Sequence, residues 1–185
     1  LTTGGSITVT GLFTWSGTLA GVGNAGSLTA AGGTLINGNA DLVSGFDYLN
    51  PSGAVADWYS NIGMGNGSVF TNAGTLNAHT DADMLGTSAS QIHNSGELIK
   101  LNGSPGSSLF DGNVIGPNFT NSGALELAAG TLALGYGGNA NSGTITAAIG
   151  TTLWLTEDFN STGSIDADKV IFHGGPAKVF SINDY

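Results

Sequence analysis

Apolar and small polar residues alternate along this chain in short bursts, and one seven-residue pattern recurs from end to end. An apolar residue stands four positions before a glycine, and another stands two positions after it. Phe70-Thr-Asn-Ala-Gly-Thr-Leu76, Ile92-His-Asn-Ser-Gly-Glu-Leu98 and Phe119-Thr-Asn-Ser-Gly-Ala-Leu125 carry the pattern almost letter for letter. Val22–Leu28, Leu49–Val55 and Phe159–Ile165 keep its skeleton, and Leu1–Ile7 and Asn139–Ile145 are looser copies. The glycines that mark the register are Gly5, Gly26, Gly53, Gly74, Gly96, Gly123, Gly143 and Gly163. Their separations, about 20 to 27 residues, fall in the window that signals a stacked array.

Within a copy, Gly-Thr-Leu-Asn-Ala predicts a short strand with Leu turned inward and Thr and Asn outward. The preceding glycine takes backbone conformations that other residues resist, which allows a corner. Further apolar beats at Gly33-Thr-Leu-Ile36, Gly130-Thr-Leu-Ala-Leu134 and Gly150-Thr-Thr-Leu-Trp-Leu155 give each repeat two or three strands. One repeat cannot bury its apolar side alone, whereas stacking on its neighbours at about 4.8 Å does so. The prediction is an all-β, single-domain parallel β-helix (β-solenoid) of about eight rungs over residues 1–165. Residues 166–185 are expected to form a cap or the lead-in to a further segment. The signature stops there, and Lys169 and Lys178 put charge on a terminal edge.

Two slots in the repeat carry structural expectations. Leu1, Val22, Leu49, Phe70, Ile92, Phe119, Asn139 and Phe159, four before each glycine, are expected to stack inside the rod. Asn24, Asn72, Asn94, Asn121 and Asn141, two before it, are expected to form a ladder, because stacked amides bond from rung to rung. The Gly- and Pro-containing stretch Asn102–Asn118 is expected to protrude as a loop.

Composition narrows the function classes. Of 185 residues, 40% are hydrophobic, which with their regular spacing opposes disorder. Three lysines against 13 acids give a net charge of −10, which repels phosphate backbones and anionic lipid. Nucleic-acid partners are therefore not expected, and no apolar run reaches the length of a membrane span. Cysteine is absent, so disulfides and thiolate chemistry do not enter. The first residues lack a basic targeting region, as in a mature segment or a piece of something longer.

Candidate chemistry is sparse. Phe46, Asp47, Tyr48, Asp57, Trp58 and Tyr59 combine rings with carboxylates, the equipment of a sugar-binding platform. The alternative for the rings is a satellite core under a long loop. His79-Thr-Asp-Ala-Asp83 suggests a metal site but lacks the glycine and distal glutamate of a calcium loop, so its residues read as solvated turn positions. Glu97 and Glu126 fall in neighbouring rungs and could pair as acid and base. No Arg or Lys supports them, and no nucleophile elbow, phosphate loop or zinc spacing occurs. The expectation is a non-enzyme without cofactor or metal. A regular Thr-x-Thr ladder, as ice binding would want, is also missing.

Phe119-Thr-Asn-Ser-Gly-Ala-Leu-Glu-Leu127, followed by Ala129-Gly-Thr-Leu-Ala-Leu134, resembles the repeats of filamentous haemagglutinin-like and autotransporter-type bacterial surface adhesins. The resemblance spans most of residues 1–165. It implies a right-handed parallel β-helix that is secreted, extracellular and rigid, and that serves adhesion, biofilm or fibre building. It supplies no active-site residues. The expected role is a non-catalytic adhesin segment or fibre subunit that self-associates end to end and meets a glycan or another cell-surface ligand. The alternative is a carbohydrate-binding or carbohydrate-cleaving module.

Overall fold

Strands of three or four residues with alternating parity, separated by small turn residues, bury one side only when each lies directly over its counterpart in the next repeat. The computed structural model has that arrangement. It describes residues 1–65, 67–103, 112–135, 138–156, 158–173 and 180–184. Residues 104–111 of the loop expected at Asn102–Asn118, together with Lys178 of the expected cap, lie outside the described residues, while Asn113–Ile115 is a strand rather than loop. Every strand pairing is parallel, and no helix occurs among the described residues.

The chain winds around three sides in about eight turns. The first side holds nine strands, from Thr2–Thr3 through Thr18–Gly21 and Ala40–Val43 to Thr152–Leu155 and Val170–Phe172. The second runs from Ser6–Val9 through Ser27–Ala30, Asp47–Asn50, Val69–Asn72, Gln91–Asn94 and Asn118–Asn121 to Phe180–Asp184. The third runs from Phe13–Trp15 through Thr34–Ile36, Val55–Trp58, Thr75–Ala78, Glu97–Lys100 and Ala124–Leu127 to Thr144–Ala147. One long strand, Phe159–Ala167, spans the corner between the second and third sides.

Inside, like residues stand over one another. Leu28, Tyr48, Phe70, Ile92, Phe119, Asn139 and Phe159 form one axial column of the second side. The rings of Tyr48 and Phe70 lie 4.7 Å apart, and Trp15 stacks on Tyr48 at 5.2 Å from the third side. The Tyr48 hydroxyl is satisfied by Thr34 Oγ1 at 2.5 Å. Burial nonetheless pushes its pKa up to about 12. Trp15 and Trp58 end their strands in the same way, each indole N–H donating to the carbonyl two residues on, Gly17 and Ser60.

The register differs from the sequence expectation at its start. Ile7 and Leu28 lie on the second side, in line with Tyr48, so Gly5 and Gly26 mark the corner before that side. From Gly53 onward the same pattern marks the corner before the third side, where Leu76, Leu98, Leu125 and Ile145 line up. The long interval between Gly26 and Gly53 is therefore a change of corner, not an enlarged coil. Asn50 aligns with Asn72, but Val55 aligns with Thr75, so two extra residues sit in the corner at Pro51–Ala54. As a result Tyr48 and Ala56 point inward, while Leu49 and Val55 point outward. Val22, expected inside, is 56% exposed.

The glycines of the regular coils do a different job from the one expected. Gly96, Gly123, Gly143 and Gly163 have no positive φ. A Cβ on each would collide with the carbonyl oxygen of its counterpart in the previous coil. That carbonyl accepts the N–H of the residue after the glycine, as in Ala124 N–H to Gly96 O at 2.9 Å. Close backbone approach, with a hydrogen bond across it, is what excludes a side chain there.

Beside this glycine column runs the amide ladder. Asn50 Nδ2 donates to Asn72 Oδ1 at 2.7 Å, Asn72 to Asn94 at 2.7 Å, Asn94 to Asn121 at 2.7 Å, and Asn121 to Asn141 at 2.8 Å. Asn141 hands on to Ser161 Oγ, which donates to Gly163 O. The second N–H of each amide crosses the corner to a backbone carbonyl of the next coil, for example Thr75, Glu97 and Ala124. Both donors of each buried amide are thereby used. Asn50 joins the ladder although its own corner is lengthened. Asn24 does not join: it is exposed, with φ at 57°, because its copy turns the other corner. At the opposite end Asn50 Oδ1 is buried without a donor.

Asn94→Ala leaves Asn72 Nδ2, Asn121 Oδ1 and Ala124 O without their partner in a dry corner. It is expected to cost about 2–4 kcal/mol in urea denaturation. Replacement of the exposed Asn24 by Ala should move the midpoint little.

Candidate functional site

Strand parity separates the six residues expected to form a sugar platform. Phe46, Tyr48 and Trp58 are core residues at 0%, 1% and 1% exposure. Asp47 points out from the second side, where burial raises its pKa. Asp57 and Tyr59 point out from the third. The rings needed for a platform are therefore mostly spent on the core, since Asp47-Tyr-Leu-Asn50 and Val55-Ala-Asp-Trp58 alternate out and in. This corrects the platform expectation: only Asp57 and Tyr59 share a surface.

That surface holds a cluster built across coils. Leu35, Asp57, Asn77 and Ile99 form one outward column of the third side. Tyr59 and His79 stand beside it in consecutive coils, with rings parallel to within 2° and centroids 4.3 Å apart. His79 Nε2 lies 2.8 Å from Asp57 Oδ1, and Asn77 Nδ2 donates to the same oxygen at 3.1 Å. Partial burial works to raise the Asp57 pKa. The hydrogen bonds from His79 and Asn77, together with the His79 charge, outweigh it and hold the carboxyl below its ordinary value. Val55 and Leu101, 45% and 37% exposed, add apolar surface on the same side. Linear motifs miss the histidine–aspartate pair because its members are 22 residues apart, one coil's length.

The rest of the His79–Asp83 stretch does turn, with Asp81 exposed as expected, but its acids also have protein partners. Asp81 Oδ1 receives Lys100 Nζ at 2.8 Å, and Lys100 is wholly buried. Lys100 occupies an inward position between Ala78 and Leu127 and reaches the corner along the small residues around it. Asp83 accepts the Val114 N–H at 2.8 Å. Burial raises the Asp83 pKa, the Val114 N–H opposes this, Asp81 adds repulsion and Lys100 offsets part of it. The signal available in the sequence was the parity of Glu97-Leu-Ile-Lys100, which places Leu98 and Lys100 on the same inward side.

The remaining candidates lie apart. Glu97 pairs in register with Ala124 and Glu126 with Ile99, so the two acids are diagonal neighbours on the outer surface. On the second side His93 bonds Thr120 Oγ1 at 2.6 Å and Gln91 Oε1 at 3.0 Å. His173 meets the edge of Trp154 at 5.8 Å. No group of three or more metal-ligating residues occurs among the described residues. Comparison with known protein families, with curated proteins and with solved structures gave no match.

Because the Asp57 pKa is lowered in the fold, its contribution is present above about pH 4 and is lost as pH falls through the folded value. Asp57→Asn is expected to lower stability at pH 7 by less than about 1 kcal/mol, given its exposure. The difference from the parent should close in thermal melts as pH falls through that folded value.

Proposed function

We propose that this β-solenoid is a non-catalytic structural and adhesive rod outside a bacterial cell, either a segment of a surface adhesin or a subunit of an extracellular fibre or biofilm matrix. The observation that carries this reading is the amide ladder, which ties coil to coil from Asn50 to Ser161. Hydrogen bonds parallel to the axis resist both stretching and bending of a stack. They also hold outward side chains in fixed rows at about 4.8 Å spacing. Such a scaffold suits the display of a surface better than the closing of a pocket around a substrate. The likeness of its repeats to surface adhesins, its low charge and its lack of cysteine support the same reading.

Beads coated with the purified chain should adhere to host-cell or biofilm surfaces above beads coated with a control protein. Electron microscopy at high concentration should show short rods joined end to end. Non-adherent beads together with discrete particles would remove both versions of the role.

A second reading, a carbohydrate-binding surface, is favoured by one observation: Tyr59 is 41% exposed beside the Asp57 carboxylate. A sugar ring can lie against such a ring while its hydroxyls donate to the acid. A glycan array should then give signals that fall at least tenfold in Tyr59→Ala. An empty array, or signals unchanged in that variant, removes this reading.

A further inference from the structure

We propose that Lys100 and Asp81 become joined by an intramolecular isopeptide bond, a covalent staple between two consecutive coils that forms once the coils have stacked. The inference does not rest on the adhesive role.

The geometry is that of a reaction held ready. Lys100 is fully buried, and its Nζ lies 2.8 Å from Asp81 Oδ1 and 2.9 Å from the Asn102 carbonyl oxygen. The amine is thus already in hydrogen-bond contact with the carboxyl group it would attack, and the fold supplies the proximity that condensation needs. Two glycines close the site. A Cβ on Gly103 would collide with both Asp81 Oδ1 and Lys100 Nζ, and one on Gly130 would press on Lys100 Cε. The backbone therefore packs directly on the pair and leaves little room for water. The Asp81 side chain keeps 33% exposure, which gives a leaving water a way out.

The step balances without any other reagent. The Lys100 ammonium passes a proton to the carboxylate, and the freed amine lone pair attacks Asp81 Cγ. A C–N bond forms, a C–O bond breaks, and the oxygen leaves as water with the two protons it has gained. An ammonium and a carboxylate become a neutral amide. Asp83 lies in the same corner, feels the charges of both reacting groups, and holds a proton more readily than an ordinary aspartate.

Physical reasons favour condensation over a permanent ion pair here. Burying an ammonium and a carboxylate carries a desolvation cost, and amide formation removes both charges. The chain has no cysteine, so a covalent tie between coils has to come from other side chains. The tie would also close the coil between residues 81 and 100.

The test is the mass of the denatured, purified protein together with its tryptic map. Trypsin has three sites, Lys100, Lys169 and Lys178. The expected result is a mass one water below that of the sequence, with cleavage after Lys100 lost, so that fragment 1–169 replaces fragments 1–100 and 101–169. Lys100→Arg and Asp81→Ala should each restore the full mass, and Lys100→Arg should restore cleavage at position 100. A full-length mass in the parent protein would overturn the proposal. So would loss of one water with fragment 1–100 still released, because a succinimide at an aspartate gives that result.

Discussion

The asparagine amides that pass hydrogen bonds along the axis are the constraint from which most of this structure follows. An amide buried at a corner has two donors and an acceptor to satisfy, and each unsatisfied group is costly. Here one donor goes to the next amide and the other to a carbonyl across the corner. That solution requires consecutive coils to turn that corner in the same way. It therefore fixes the register at that corner, and the longer Asn50 corner still meets it. Coils may differ in length elsewhere: the ladder steps are 22, 22, 27, 20 and 20 residues, yet the amide contacts stay between 2.7 and 2.8 Å up to Asn141. In the longest step the additional sequence falls between the strands that end at Lys100 and begin at Asn113.

Once that corner is set, strand parity assigns the other side chains. Inward columns are aliphatic or aromatic, with rings concentrated where Trp15, Tyr48 and Phe70 meet. Apart from Asn50 Oδ1, which lacks a donor, several polar exceptions inside are provided for. Thr34 meets Tyr48, Asn139 Oδ1 accepts the Phe119 N–H, and Lys100 extends to Asp81. Outside, the same stacking creates neighbours that no local motif predicts, such as Asp57 under His79 and His93 beside Thr120. The surface chemistry of this protein is a product of coil length.

The coil itself was legible in the sequence, because glycine and apolar positions recur with a period that only stacking satisfies. Four of the five asparagines expected in the ladder take part in it, and the exception, Asn24, explains the limit. The pattern of two apolar positions around a glycine serves two different corners, so spacing alone could not tell that the first two copies turn one corner and the later copies another. The same ambiguity displaced the platform. Anchoring on Gly53 makes Leu49 inward, whereas anchoring on Asn50 makes Tyr48 and Trp58 inward and leaves Asp57 and Tyr59 outside. The pairing of His79 with Asp57 and of Lys100 with Asp81 depends on how far the chain advances in one turn. That distance is set by corners that the repeat does not spell out.

The central claim is that buried side-chain amides are bonded in series along the axis, and amide proton exchange in solution measures this directly. The side-chain N–H groups of Asn72, Asn94 and Asn121 should exchange orders of magnitude more slowly than those of the exposed Asn24, and each should show a short-range proton contact to the amide one coil away. Exchange of all four at the same fast rate would contradict the account.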